Sequence, residues 1–378
     1  MGYIQRKKHI VTCLTILFFL STIQIISADD ITDPSLNFVF PTPENYHYQT
    51  ERYVNINVSI DEENLSQLDY NWDETNYTLY NDTLVLMYNF DNIASLGEDS
   101  STVVDMSSKQ NSGSVVSATW DESGKYHGGF NFDGENDYIT ADDVCNHLDS
   151  PSEMTLSCWI KPRTHSQTGY FLSFNDNDNS NNIQLGYQSD GIFKFYDGSV
   201  TTPVTSLQVN TWYHLAVTID SSNTVVVYVN GTNSKTTTTT VRPESNAKFS
   251  MGQEWDGGGA SNFFNGIMDE IRIWNSALTQ NEIYQQYASN LQKYNQTKWF
   301  LTVNQSKNAT EELDDGIYTY QAFATDTNTN QASTEQRTLG INIEPTPPVP
   351  EATTLTLTTL GSILLVGVIG YSRGKKKR

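Results

Sequence analysis

The sequence predicts an all-β protein in which a sandwich of jelly-roll type is inserted into a second, split sandwich and followed by one C-terminal transmembrane helix. Three observations favour this architecture. Short apolar segments separated by turn residues recur through residues 84–294. Alternating apolar and polar residues occur on both sides of that region, and an apolar run with a basic end closes the chain.

Residues 1–28 have the pattern of a signal peptide. Three basic residues precede an apolar run from Ile10 to Ile26, and Ser27-Ala28 offers a small-residue cleavage point. We therefore expect the chain that follows to be exported and displayed at the cell surface.

Residues 35–83 and 295–344 predict the two halves of one sandwich. Apolar and polar residues alternate from Val54 to Ile60 and again from Tyr318 to Ala324, which is the period of a half-buried strand. Each flank is too short for a good core, yet together they reach about 100 residues, the usual size of an immunoglobulin-like sandwich. The run from Asp314 to Tyr318 also resembles the tyrosine corner of such sandwiches. Two unrelated strand segments are the alternative.

The pattern of residues 84–294, the middle segment, predicts a series of short strands and one clearly indicated helix. Turns such as Asp190-Gly191 and Asn230-Gly231 separate the apolar segments. Thr279 and Glu282 have the spacing of a capping box, which indicates a helix that begins there and packs on the sandwich through Ile283, Tyr287 and Leu291. The predicted strands are Leu84 to Phe90, Gly129 to Phe132, Met154 to Lys161, Tyr170 to Phe174, Ile183 to Tyr187, Ile192 to Tyr196, Trp212 to Ile219, Val225 to Val229 and Gly266 to Trp274.

The C-terminal residues predict a membrane anchor. A proline-rich linker at 345–352 leads into an uncharged segment at 353–372, and about 20 apolar residues suffice to cross a bilayer. The basic residues of 373–378 should remain cytoplasmic. A buried core helix is the alternative, but scattered threonines and the basic end suit it poorly.

The acidic composition excludes some partners. The formal net charge is −22, and the displayed part is more acidic still, because the basic residues near both ends fall outside it. Such a surface repels nucleic acid and attracts cations, so no nucleic-acid partner is expected. Soluble acidic proteins of salty habitats have the same composition.

Two further patterns fit export. Cys145 and Cys158 are the two cysteines beyond the signal peptide, and in an oxidising exterior they could form a disulfide, with two reduced buried thiols as the alternative. Asn-x-Ser/Thr sequons predict N-glycosylation mainly in the flanks. The sequon asparagines are Asn57, Asn64, Asn76, Asn81, Asn230, Asn295, Asn304 and Asn308.

Several ordered motifs of the middle segment resemble one family. They are Gly124 to Gly134, Asp137 to Ile139, Leu156 to Pro162, Trp212 to Thr218 and Phe264 to Trp274. Together they resemble a LamG-like jelly roll of the concanavalin A-like lectin/glucanase superfamily. The resemblance implies two facing antiparallel sheets with neighbouring chain ends, which an inserted domain requires. Pro350 to Thr353 with the tail resembles a PEP-CTERM-like sorting signal, so that cleavage of the anchor and its retention both stay open.

Catalysis is not expected. Glucanases of this superfamily carry Glu-x-Asp-x-x-Glu, and retaining enzymes need two carboxyl groups about 5.5 Å apart. Here Glu135-x-Asp137 is followed by Thr140, and Glu254-x-Asp256 by Gly259, so the second glutamate is missing from both. No Gly-x-Ser-x-Gly motif of nucleophilic hydrolases is present.

Two acidic loops predict a calcium site. The second loop resembles the calcium loop of pentraxins, and by that resemblance Glu254 and Asp256 donate carboxylates and Trp255 its carbonyl group. Asp176 and Asn177 would complete the site from the first loop, since calcium takes six to eight oxygen ligands. Ordinary solvated turns are the alternative.

The expected function is binding of extracellular carbohydrate or glycoprotein, assisted by calcium, at an anchored cell-surface protein. Aromatic side chains in loops can stack on sugar rings, which favours Trp255 and Trp120, with Tyr187 and Asp190 as neighbours. A structural or adhesive envelope protein with spacer sandwiches and an extracellular glycan hydrolase are the alternatives.

Overall fold

The structure, a computed structural model, describes residues 32–343 except residue 149 and residues 176–181. The predicted signal peptide, linker, transmembrane helix and basic tail lie outside the described residues, as do the predicted calcium ligands Asp176 and Asn177. Within the described residues, no helix is long and apolar enough to cross a membrane.

The first flank contains five strands. Val54, Ile56, Val58 and Ile60 are buried while the residues between them are half-buried, as their alternation in the sequence predicts. The strands are β1 (Ser35–Val39), β2 (His47–Gln49), β3 (Val54–Asp61), β4 (Leu65–Trp72) and β5 (Thr75–Tyr80).

Strand is the main regular structure of the middle segment. The nine predicted strands are observed to within about two residues, together with nine further strands that the sequence analysis did not predict. The segment also holds two short 3₁₀ helices, Ala94–Leu96 and Asp142–His147. The strands are β6 (Leu84–Tyr88), β7 (Thr102–Val103), β8 (Gly113–Val116), β9 (Thr119–Asp121), β10 (Gly129–Asp133), β11 (Tyr138–Thr140), β12 (Met154–Pro162), β13 (Gly169–Asn175), β14 (Ile183–Tyr187), β15 (Ile192–Tyr196), β16 (Thr201–Ser206), β17 (Tyr213–Ile219), β18 (Thr224–Val229), β19 (Thr232–Thr238), β20 (Lys248–Met251), β21 (Glu254–Asp256), β22 (Gly259–Ser261) and β23 (Asn265–Trp274).

The chain then passes through one helix into the second flank. The elements are α1 (Gln280–Ala288), β24 (Ser289–Lys293), β25 (Lys298–Gln305), β26 (Gly316–Asp326), β27 (Gln331–Ser333) and β28 (Arg337–Ile341). The Tyr318 hydroxyl donates to the carbonyl of Asp314 at 3.1 Å, which is the backward hydrogen bond of the predicted tyrosine corner.

Both flanks build one two-sheet body, which we call the flank sandwich. Its sheet 1 has the order β1-β3-β25-β24, and its sheet 2 has the order β2-β28-β26-β4-β5, with β27 pairing β26. Val58 and Leu301 are paired across β3 and β25, and both lie in the same core as Tyr70 and Tyr320 of sheet 2. The prediction that the two flanks pack together is therefore confirmed. The predicted domain boundaries stay a prediction, and β24, which falls inside the predicted middle segment, pairs with β25 of sheet 1.

The middle segment forms a second two-sheet body, the central sandwich. Its sheet 3 has the order β19-β18-β17-β12-β23-β10-β9, with β6 pairing β23, and its sheet 4 has the order β16-β15-β14-β13-β20-β11-β8-β7. Apolar residues of both sheets share one aromatic-rich core that includes Phe132, Phe171 and Phe264. This all-β, two-sheet arrangement is consistent with the predicted jelly roll.

Helix α1 begins as predicted and ends earlier. The Thr279 side chain accepts from the backbone N–H of Glu282, and the Glu282 side chain accepts from the backbone N–H of Thr279, so the capping box is complete. Ile283 packs on Ala216 and Tyr228 of sheet 3. Leu291 does not extend the helical stripe, because the chain enters β24 at Ser289 and places Leu291 in the core of the flank sandwich.

The predicted disulfide is not formed. Cys145 lies in a 3₁₀ helix and Cys158 on β12, and both are free, fully buried thiols in the core of the central sandwich. Burial raises the pKa of Cys145 to about 12 and raises the pKa of Cys158 further. Each cysteine therefore acts as a small apolar core residue, which was the alternative interpretation of this pair.

We predict that both thiols are unreactive in the folded protein and reactive once it is unfolded. An alkylating reagent should label neither Cys145 nor Cys158 under native conditions, because the thiolate is both inaccessible and disfavoured. In denaturant without any reductant, peptide mapping should find both labelled. Labelling that requires prior reduction would show a bridge instead.

Candidate functional site

The β21–β22 hairpin carries the residue on which the predicted binding site depends, Trp255. Glu254 to Asp256 pair with Gly259 to Ser261 across a Gly257-Gly258 turn, where both glycines have positive φ. The Trp255 ring is half-buried and lies edge to face with Tyr138 of sheet 4, with 5.7 Å between ring centroids. The Lys248 ammonium lies 4.4 Å from the centre of the indole ring. The hairpin thus presents an aromatic and cationic surface beside sheet 4.

A polar network anchors this hairpin to the sheet. The two Glu254 carboxylate oxygens accept from Gln184 Nε2 at 2.7 Å and from Asn262 Nδ2 at 2.5 Å. The backbone N–H of Trp255 donates to Asn175 Oδ1 at 3.3 Å. Because these contacts join β13, β14 and the hairpin, the position of Trp255 is fixed by strands distant from it in the sequence.

Several buried polar atoms of the same network have no hydrogen-bond partner among the described residues. They are Trp255 Nε1, Asn175 Nδ2, Gln184 Oε1, Gln253 Nε2 and Ser261 Oγ. Buried polar atoms in native proteins are nearly always satisfied by protein, ordered water or a ligand.

The metal-ligand prediction is only partly covered by the structure. Glu254 and Asp256 lie two residues apart on β21, so their side chains share one side of the strand, and Asp256 is exposed. In the described part of the chain, no three His, Cys, Asp or Glu side chains gather as a metal site. Here Glu254 and Asp256 supply at most two carboxylates, fewer ligands than a calcium ion requires.

The other predicted ligand contacts do not join this surface. Tyr187 is wrong as a contact: it is 1% exposed, packs against Phe171 and Phe264, and donates to the Thr164 carbonyl at 2.9 Å. Side chains alternate between the two faces of strand β14, and Tyr187 shares the core-facing side with Ile183 and Leu185. Trp120 lies on strand β9 of sheet 3 rather than in a loop, and its indole N–H donates to the Phe90 carbonyl at 2.9 Å.

Asp190 is exposed but is engaged in its own turn. Its carboxylate accepts from the backbone N–H of Ile192 at 2.9 Å and pairs with Lys194 at 3.1 Å. These contacts stabilise the β14–β15 hairpin. No hydrogen bond or ring contact of the described residues links Asp190 to Trp255.

The sequon asparagines differ in accessibility. Asn64, Asn76 and Asn304 are exposed, and the others are half-buried. The Asn308 amide donates to Glu311 at 2.7 Å, and the Asn230 side-chain oxygen accepts from the backbone N–H of His214 at 3.0 Å. The exposed asparagines are therefore the better acceptors for a glycan.

Strand β23 carries a buried charged network that the sequence analysis missed. Arg272 donates to Glu270 at 2.9 Å, to Gln286 of α1 at 2.8 Å and to Asn290 at 3.0 Å. Asn89 Nδ2 donates to the Glu270 carboxylate at 2.9 Å. The signal in the sequence is three charged residues within the otherwise apolar strand from Ile267 to Trp274.

This network has the altered pKa values that often mark catalytic sites. Burial raises the pKa of Glu270 to about 7, and burial together with the neighbouring Glu270 raises the pKa of Asp269 well above its usual value. The cavity beside Glu270 and Arg272 nevertheless holds only about 10 Å³, about the space of one water molecule. The network therefore has no room for a substrate and joins α1 and β24 to sheet 3.

Comparison with family models found a match within the middle segment of the chain. Residues 133–284 match the family model described as the concanavalin A-like lectin/glucanases superfamily. The predicted resemblance of this segment to that superfamily is thereby confirmed. The description covers lectins and glucanases alike. No curated protein matches the chain.

Solved structures similar to this chain include the following three. Domain 4 of AbnA, an extracellular arabinanase from Geobacillus stearothermophilus solved with arabinotriose, is 23% identical and covers 53% of this chain and 96% of its own, with a TM-score of 0.43. A heptameric SAP-like pentraxin from Limulus polyphemus is 22% identical over 36% of this chain and 70% of its own, with a TM-score of 0.32. Trypanosoma rangeli sialidase with sialic acid is 15% identical over 56% of this chain and 33% of its own, with a TM-score of 0.44. Such low similarity identifies no ligand of this chain.

We predict that His214 makes the protein acid-sensitive. Burial lowers the pKa of His214 from 6.5 to about 3, with Arg272 and Lys125 adding to the effect. The unfolded chain binds a proton near pH 6.5 while the folded protein does not until about pH 3, so the free energy of unfolding falls as pH falls through this window. Denaturant titrations from neutral pH to about pH 4 should show His214→Phe losing less stability than the parent, by on the order of 3 kcal/mol.

The exposed His147 provides the matched control for this measurement. His147→Phe should follow the parent protein at every pH. Equal acid sensitivity of His214→Phe and the parent would mean that His214 is not kept neutral by the fold.

Proposed function

We propose that this protein binds carbohydrate, or the carbohydrate of a glycoprotein, through the surface around the β21–β22 hairpin and does so without catalysis. The observation that carries this proposal is the half-buried Trp255 ring on a hairpin that a polar network holds against sheet 4. A sugar offers an apolar ring face that stacks on such a ring, and hydroxyl groups that can bond to polar side chains around it. The superfamily match of residues 133–284 supports a carbohydrate ligand.

The absence of catalysis is part of the proposal. Both Glu254 carboxylate oxygens are held by amide donors, which is how a structural carboxylate is typically satisfied. The second glutamate of the glucanase motif is replaced by Gly259 after Glu254-x-Asp256. The cavity beside Glu270, the buried carboxyl group next to Arg272, is too small for a sugar.

The cellular setting is proposed from the sequence. The signal peptide, the C-terminal helix and the basic tail favour an exported protein that is anchored in the membrane, or sorted and cleaved there. In this proposal the jelly roll is inserted into an immunoglobulin-like sandwich. The pairing of β3 with β25 and of β4 with β26, together with the Tyr318 corner, supports that architecture.

We predict that Trp255→Ala abolishes most saccharide binding. Removing one stacking ring should weaken affinity by about tenfold or more, equivalent to about 1.4 kcal/mol. The measurement is a glycan array on the purified full chain, followed by titration of the best ligand into parent and variant.

Trp120→Ala is the matched control, because Trp120 is also partly exposed but belongs to sheet 3. It should bind like the parent. No saturable ligand, or binding that survives the Trp255 substitution, would favour the structural envelope protein. Release of reducing sugar that Glu254→Gln abolishes would favour a hydrolase.

We also predict that calcium binds beside the hairpin through Glu254, Asp256 and the Trp255 carbonyl group, with Asp176 and Asn177 as the further ligands. Isothermal titration of calcium into the full chain should show saturable uptake that Glu254→Gln or Asp256→Asn weakens, since each variant removes a carboxylate ligand. Glu122→Gln, which neutralises an exposed carboxylate on another surface, should leave the uptake unchanged. If no uptake is measured, calcium has no part in the function.

A further inference from the structure

A second concave surface lies where the two sandwiches meet. It is a cleft of about 250 Å³ between sheet 3, helix α1 and the end of strand β25. Lys125, Tyr126 and Trp159 come from the central sandwich, Tyr287 from the helix, and Asn304 from the flank sandwich. We call it the aromatic cleft. Ligand sites are common at such junctions between folded bodies.

Aromatic rings form the wall of this cleft. Trp159 and Tyr287 are stacked with their ring centroids 5.6 Å apart, and Tyr126 lies edge to face with Trp159 at 6.1 Å. The Tyr284 hydroxyl donates to the Ser306 carbonyl at 3.0 Å and accepts from the backbone N–H of Ser306 at 2.9 Å, which ties the helix to the flank sandwich. The wall is therefore held in place before any ligand binds.

Lys125 is a half-buried cation without an ion-pair partner in the described residues. Its ammonium group lies 4.2 Å from the centre of the Trp159 ring and 5.6 Å from that of Tyr126. Burial lowers its pKa, which shows that the fold withdraws this charge from water, although Asp269 partly opposes the shift. In a chain of net charge −22, a cation that faces rings rather than carboxylates is available to an anion.

The remaining features of the cleft fit a small, polar ligand. Asn304 is exposed, and its side chain makes no hydrogen bond to the described residues, so its amide can donate and accept. Drug-sized ligands fill roughly 300–1,000 Å³. A cleft of about 250 Å³ suits a group of about one sugar ring.

We propose that the aromatic cleft binds an acidic monosaccharide unit, with its carboxylate on the Lys125 ammonium and its ring against the aromatic wall. A carboxylate complements the cation of Lys125, and a pyranose ring offers an apolar face to Tyr287. Where Asn304 carries no glycan, the hydroxyl groups of the sugar can reach its amide. This site is separate from the Trp255 surface, because Trp159 belongs to sheet 3 and the β21–β22 hairpin packs on sheet 4. The proposal therefore does not depend on the function assigned to the hairpin.

The test uses D-glucuronate as the probe and the full chain made without N-glycosylation, because Asn304 is a sequon asparagine and an attached glycan would occupy the cleft. Titration followed by ligand-observed NMR should show saturable binding of D-glucuronate. D-glucose, which lacks the carboxylate, and acetate, which lacks the ring, should each bind at least about tenfold more weakly.

Variants locate the binding site. Lys125→Met keeps the aliphatic stem but removes the charge, and should weaken D-glucuronate binding by about tenfold or more. Lys125→Arg should retain most of the affinity. Lys161→Met is the matched control, since Lys161 also lies over a tryptophan ring, 5.9 Å from the centre of Trp212, outside the cleft. Thermal unfolding should confirm that each variant is folded.

The outcomes separate this site from the hairpin surface. Retained D-glucuronate binding in Trp255→Ala and Lys248→Met, with loss in Lys125→Met, supports the aromatic cleft. Absence of D-glucuronate binding, equal binding of D-glucose or acetate, or an unchanged affinity in Lys125→Met would each overturn the proposal, whatever the hairpin binds.

Discussion

The backbone ladder between β3 and β25 is the constraint on which the architecture depends. It pairs residues 54–61 with residues 298–305 and thereby closes a loop that contains the whole central sandwich. The entropy of closing a loop grows only slowly with its length, so an eight-residue ladder with an apolar core can offset it. The closure also requires that the inserted body begin and end at one place. The central sandwich meets this requirement because its first strand β6 and its last strand β23 are neighbours in sheet 3, with Leu84 opposite Trp274.

This closure joins the two sandwiches through shared side chains as well as through the chain. Met87 and Trp274 project from sheet 3 into the core of the flank sandwich. On the outer side of sheet 3, Arg272 reaches Gln286 in α1 and Asn290 in β24, while Glu270 balances its charge. Losing one partner of a buried ion pair is costly because the other remains uncompensated, so this network favours a single arrangement of helix and sheets.

The protein presents two aromatic surfaces, and they differ in the polar groups that lie beside the rings. Beside Trp255 the accompanying groups include uncharged amides such as Asn175 and Gln184, which suit a neutral hydroxyl-rich ligand. Beside Trp159 the accompanying group is the half-buried Lys125 ammonium, which suits an anion. In both places a lysine lies over an indole ring, which holds a positive charge near the aromatic surface without neutralising it.

Local patterns in the sequence determined about half of the strands of the middle segment, the capping box at Thr279 and the hydrogen bond of Tyr318. Each of these depends on the period of a strand or on residues within a few positions. The family motifs identified the superfamily of residues 133–284 for the same reason. Only the tertiary structure decided that Tyr187 faces the core, that Cys145 and Cys158 stay apart as thiols, and that Lys125 lies over Trp159. The burial and the contacts of these side chains depend on strands that are distant from them in the sequence.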